Sequence, residues 1–106
     1  MRITIPTARI LAALLAEPDA DRYGLELMQA TGLASGSLYP ILHRLQEAGW
    51  LAARWEEIDP SAQGRPARRF YRLTPEGVVN ARQALAELRS HTSVPGTAAG
   101  TVNPAW

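Results

Sequence analysis

The chain has no cysteine and no lysine: its 106 residues carry eleven basic side chains, all arginine, against ten acidic ones. Without cysteine, disulfides, thiolate nucleophiles and cysteine-based zinc sites are excluded, and the expected setting is the cytoplasm. Long apolar runs are missing as well. The segment Ile10–Ala16 is stopped at once by Glu17, Pro18 and Asp19, and it falls far short of the ~20 residues of a membrane span. It reads as a core helix, not as a signal peptide or a membrane anchor. Strong net charge is also absent: at +1, the total alone argues against a polyanionic partner, so the distribution of charge has to decide. A chain of this length is one domain with a modest core, which favours help from a second copy.

What is present is organised around Ser35–Gly49, SGSLYPILHRLQEAG. Small capping residues open it, Leu38, Ile41, Leu42 and Leu45 recur at the spacing of one helical face, and Gly49 can close it. The opposite face carries Ser37, Tyr39, Pro40, His43 and Arg44, with no acid before Glu47. Hydroxyls, an imidazole and a guanidinium without carboxylates suit a helix lying beside phosphates and base edges. Upstream, Thr7 is expected to cap a first helix ending near Ala16, with Ile10, Leu11, Leu14 and Leu15 inward. A second helix is expected over Arg22–Thr31, capped by Asp21 and closed by Gly32. The tight turn between it and the polar-faced helix has the spacing of a helix-turn-helix.

After Gly49 the period changes to two. Leu51, Ala53 and Trp55 alternate with Ala52, Arg54 and Glu56, which predicts a strand with the first set inward. Residues Ile58–Ala67 form a loop, and a second strand follows at Arg68–Thr74, with Tyr71 and Leu73 opposite Phe70 and Arg72. Two strands with an extended tip make a hairpin wing. Between Gln63 and Arg72 lie Arg65, Arg68, Arg69 and Arg72 and no acid. Gly64 and Pro66 flank Arg65, so a defined tip presenting that guanidinium outward is expected. Thr74 then caps a last helix, with Pro75 at its first position, ending near Arg89 or His91. The fold class is mainly α: a winged helix-turn-helix of three helices, a two-stranded wing and one C-terminal helix. Residues 1–74 are expected to form the winged-helix domain, 75–91 a dimerisation helix and 92–106 a flexible tail.

At this point the motifs become specific. YGLEL at Tyr23–Leu27, GSLYPILHRLQEAGWL at Gly36–Leu51, WEE at Trp55–Glu57 and GRPARRFYRLTPEG at Gly64–Gly77 resemble those of PadR-like transcriptional regulators, in the family's order and at about its spacing. The resemblance covers roughly residues 7 to 90. It implies a bacterial, dimeric DNA-binding repressor of the short subfamily, with the third helix in the major groove and the wing at the backbone or minor groove. Where the family often has Thr, this chain has Ser37, which keeps the hydroxyl.

The resulting expectation is a sequence-specific regulator binding a palindromic operator in double-stranded DNA. Ser35, Ser37, Tyr39, Pro40, His43, Arg44, Gly64, Arg65, Arg68 and Arg69 form the DNA-binding set. Ile10, Leu14, Val78, Ala81, Leu85 and Leu88 form the homodimer interface. Tyr39 has a competing role as a packed aromatic, and Arg68 and Arg69 point to opposite faces of a strand. Trp50, Trp55 and Tyr71 are read as core, although in some family members aromatics at the dimer interface bind flat hydrophobic molecules, so a small hydrophobic effector is one expected partner. Trp106 either belongs to a frayed tail or folds back into an apolar groove of the dimer. A protein-interaction module without DNA binding is the alternative from another class. No enzyme, metal or cofactor is expected: His43 and His91 are far apart, and no serine has an identifiable base.

Overall fold

Helix α1 (Ile5–Ala16) is capped by Thr4, whose hydroxyl accepts from the Thr7 amide at 3.3 Å. Thr7, expected as the cap, instead lies inside the helix and is buried. Pro6 explains the earlier start, since proline is preorganised for the first turn of a helix. The computed structural model describes residues 3–92. The expected tail and Trp106 lie outside the described residues.

Arg22 and Tyr23, expected in the second helix, form a short strand β1 (Arg22–Tyr23). Helix α2 (Gly24–Thr31) follows, with Tyr23 rather than Asp21 at its cap position and the Glu26 carboxylate accepting from the Tyr23 amide at 3.1 Å. Two residues are too few to carry a period, so only the pairing partner makes this segment a strand. Helix α3 (Ser35–Glu47) places Leu38, Ile41, Leu42 and Leu45 in the core as expected. Its cap position is Ala34, which offers no side-chain acceptor, so the small residues expected to cap it, from Ser35 on, already lie in its first turn. Gly49 turns the chain at a φ of 83°.

Strand β2 (Leu51–Trp55) and strand β3 (Arg69–Leu73) form the wing, with a one-turn helix α4 (Pro60–Gln63) inside the loop between them. The sheet has three strands, not two, in the order β1-β3-β2, all antiparallel. Arg22 faces Tyr71 and Tyr23 faces Phe70, so the wing is tied to the start of α2. Tyr71 and Leu73 are buried as the alternation predicted. Trp55 departs from it: it stands 61 % exposed, because it ends β2 at the point where the hairpin leaves the body of the domain.

Helix α5 (Pro75–Thr92) packs on α1 and β3. The Thr74 hydroxyl accepts from the Gly77 amide at 2.9 Å and donates to the Gly49 carbonyl at 2.8 Å, which stitches the start of α5 to the turn after α3. Gly77 lies against the Trp50 backbone so closely that an added Cβ would fall 2.8 Å from its carbonyl carbon. The core is assembled from Ile10, Leu11 and Leu14 of α1, Leu27 of α2, the inner face of α3, Leu51, Tyr71, Leu73 and Ala81. Burying a large aliphatic side chain of this kind contributes about 1.5–3 kcal/mol. The outer face of α3 is held in place by that inner face.

Candidate nucleic-acid interface

The exposed side of α3 presents Ser35, Ser37, Tyr39, Pro40, His43 and Arg44 together, as the helical spacing requires. Pro40 lacks the N–H that would bond the Gly36 carbonyl, and glycine at that position minimises the crowding a proline ring causes one turn back. His43 Nε2 lies 2.8 Å from Glu47 Oε1, so the first acid on the helix is engaged by its neighbour one turn earlier. Arg44 makes no ion pair among the described residues.

The wing is different. Of its arginines, Arg54 donates to Asp21 Oδ2 at 2.8 Å and Arg72 lies 3.3 Å from Asp21 Oδ1, so one carboxylate ahead of β1 holds two strands. Arg65 does not stand outward at the tip. Its guanidinium forms a two-pronged pair with Glu56, at 2.7 and 3.1 Å, and Glu56 also accepts from the Arg68 amide at 3.3 Å. That correction has a geometric cause. Asp59 caps α4 by accepting from the Ser61 amide, and Gly64 reverses the chain at a φ of 69°, folding the tip back over the end of β2. The Arg65 hydrogen bond is the main reason the Glu56 carboxyl sits below the ordinary glutamate range, and the same contact raises Arg65.

Arg68 and Arg69 are held by rings instead of carboxylates. The Arg68 guanidinium lies 4.4 Å from the centre of the Tyr23 ring and that of Arg69 5.1 Å from Trp55. Cation–π stacking of this kind orients a guanidinium without neutralising it. The two point to opposite faces as expected, Arg69 stacking on Trp55, its direct partner across the hairpin, and Arg68 on Tyr23, the partner of Phe70. Both residues nonetheless line one cleft of about 550 Å³ together with Tyr23, Gly24, Leu25, Tyr39, Trp55, Ala67 and Tyr71. No carboxylate lines it. Burial in its floor pushes the Tyr71 phenol above the ordinary tyrosine range. The cleft lies between α3, through Tyr39, and the wing.

Asp21, Tyr23, Glu56 and Trp55 are the residues that sequence reasoning left out of the site. The acids flanking the basic run were a usable signal, since WEE precedes it and Asp21 precedes β1. Tyr23 and Trp55 carried none, because the ring a given arginine covers depends on the three-stranded pairing. Among the described residues no cluster could hold a metal ion, and no helix is long and apolar enough to cross a membrane.

The expected dimer contacts divide. Ile10 and Leu14 are 0 % and 1 % exposed and Ala81 is 0 % exposed within a single chain. They are therefore core residues with no surface left to offer, a correction to the expected interface. Leu85 and Leu88 are part-exposed and line an open apolar groove with Ile5, Ala8, Arg9, Ala12 and Arg89. Val78 is also part-exposed.

Comparison with known proteins agrees with this architecture. The chain is 41 % identical over 75 residues to the transcriptional regulator Rv3488 of Mycobacterium tuberculosis; the match covers 61 % of this chain and 65 % of that relative. The structure of smu.1704 from Streptococcus mutans superposes with a TM-score of 0.67 at 27 % identity, over 97 % of this chain and 98 % of that one. Bordetella bronchiseptica BpsR, whose DNA binding is described as regulated by 6-hydroxynicotinic acid, shares the fold with a TM-score of 0.68 at 20 % identity, over 98 % of this chain and 66 % of that one. The model of the transcriptional regulator PadR-like family matches residues 10–83, from the core of α1 through the wing into α5, and this chain belongs to that family of transcriptional regulators, which are not enzymes.

Proposed function

We propose that the protein is a sequence-specific double-stranded-DNA-binding regulator that acts as a homodimeric repressor on a palindromic operator. The observation that carries this reading is the cleft. The outer face of α3, whose one acid, Glu47, is paired with His43, stands on one side of it, and the wing on the other contributes Arg68 and Arg69, both held by rings and neither neutralised by an acid. With α3 in a major groove and the wing in the next minor groove, the phosphate strand between the grooves has to cross this cleft. Arg68 and Arg69 supply the charge there, and Ser35, Ser37 and Tyr39 supply hydroxyl donors. His43 and Arg44 face base edges, with arginine to guanine the commonest specific pairing. Gly64 and Pro40 shape the wing tip and the helix. Arg65 meets a phosphate only by exchanging Glu56 for it.

A second copy seated on the α1–α5 groove, against Leu85 and Leu88 with Val78 nearby, would place two recognition helices about 34 Å apart, one turn of DNA. The DNA binding of BpsR is regulated by a small molecule, 6-hydroxynicotinic acid, which supports a small hydrophobic effector as a partner here, acting by lowering DNA affinity. Promoter occupancy then excludes polymerase until it is released. The pairing of Arg54, Arg65 and Arg72 with acids favours one second reading, a winged-helix module that binds protein.

Selection of bound sequences from random duplex DNA separates the two. Enrichment of a two-fold symmetric motif with half-sites one turn apart, bound with steep salt dependence, is the expected result. A pool that never departs from random would overturn the DNA reading and leave the protein-binding one. Sedimentation at micromolar concentration is expected to give a dimer, and monomer alone removes the palindromic geometry.

A further inference from the structure

Gly24 is the first residue of α2 and is buried. It is not one of the glycines with positive φ, which are Gly32, Gly49 and Gly64. Its backbone conformation is therefore open to any residue, and helix propensity gives glycine no advantage over alanine there. What demands glycine is space. An added Cβ would collide with the Tyr39 phenol, 2.6 Å from Cζ, 2.9 Å from Cε1 and closer still to the hydroxyl. Tyr39 comes from the outer face of α3, is 42 % exposed, and forms one wall of the cleft shared with Arg68 and Arg69.

We propose that Gly24 is a positioning residue for the recognition helix: its missing side chain forms the seat for the hydroxyl end of Tyr39, and that seat fixes where the phenol stands in the cleft along which a backbone phosphate would pass. The inference rests on the DNA-binding reading and deepens it. The obstacle is the far end of a half-exposed side chain and not backbone, so a methyl group at position 24 displaces the phenol and leaves the fold standing. The consequence falls on the contact the phenol makes. Because that hydroxyl is a neutral donor to a phosphate, losing it weakens all operator sequences alike and leaves the salt slope alone, since the slope follows neutralised charge.

The test uses the full chain and the operator obtained by selection with the wild-type protein. Gly24→Ala is expected to lose about three- to tenfold in affinity, the range of one neutral hydrogen bond, equally on every operator variant and with unchanged salt dependence. Tyr39→Leu, which removes the obstacle together with the donor, is expected to lose at least as much. Gly24→Ala in the Tyr39→Leu background is then expected to cost nothing further, and it does so even if Gly24→Ala alone folds poorly. Wild-type affinity for Gly24→Ala, or a loss that adds in full to that of Tyr39→Leu, would overturn the proposal while leaving DNA binding intact. A wild-type protein that selects no DNA at all would overturn both.

Discussion

Helix α3 and the wing both attract attention in the sequence as polar, arginine-bearing stretches, yet the fold treats them in opposite ways. On α3 the polar residues stay on the exposed face and Arg44 has no acidic partner among the described residues. In the wing, Arg54 and Arg72 share Asp21 and Arg65 is taken by Glu56. Only Arg68 and Arg69 escape pairing with acids there, resting on Tyr23 and Trp55. A run of arginines is therefore not yet a positive surface. The ion pairs hold the hairpin's shape, and the stacked pair supplies its field.

The largest effect expected on this comparison comes from beneath α3. Leu42→Ala should cost about 2–5 kcal/mol of stability in denaturant unfolding, because it opens a cavity under the recognition face. A loss under 1 kcal/mol would mean that α3 is not anchored as its burial implies. Next, Arg44→Ala should relax the choice of base at one operator position by about 1–3 kcal/mol, read as the loss of discrimination between operator variants. Equal weakening on all variants would instead make Arg44 a phosphate contact.

Within the wing the comparison sharpens to one arginine against another. Arg68→Ala should lower the salt slope of operator binding by about one unit. Arg65→Ala should leave that slope nearly unchanged, because Glu56 already neutralises it. The inverse result would show that the Glu56 pair opens on DNA. The smallest effect is that of acid on the same pair. A carboxyl whose pKa is lowered on folding contributes stability that is fully present above its ordinary value of 4.5 and is lost as the pH falls through the lowered one. Thermal unfolding of wild type should therefore weaken more steeply below that point than Glu56→Gln does, and parallel curves would remove the pair from the account.

Much of this was legible beforehand for a physical reason. The inner face of α3 is a periodic pattern, and a 3.6-residue period states which side is buried without reference to any neighbour. The Thr74–Pro75 start of α5 and the Tyr71–Leu73 alternation are local in the same sense. The one-turn helix α4 was visible in principle too, since Asp59 followed by Pro60 is a cap and first-turn pair, but the cluster of Pro, Ser and Gly around it read as loop.

Other features depended on contacts between distant segments. That Arg22 and Tyr23 are a strand depends on Tyr71 and Phe70 lying alongside. That Trp55 is exposed although it shares the face of Leu51 and Ala53 depends on where the hairpin leaves the body. Ile10, Leu14 and Ala81 have the apolar character of an interface, and only packing among α1, α3 and α5 shows that one chain already consumes their surface.

The sequence by itself determined the polar-faced helix α3, the turn before it and the hairpin after it, because each is written in spacing along the chain. The tertiary structure alone decided which arginines remain un-neutralised and that Gly24 makes room for Tyr39. Charge pairing and steric fit are properties of groups brought together in space, and no periodicity along the chain encodes them.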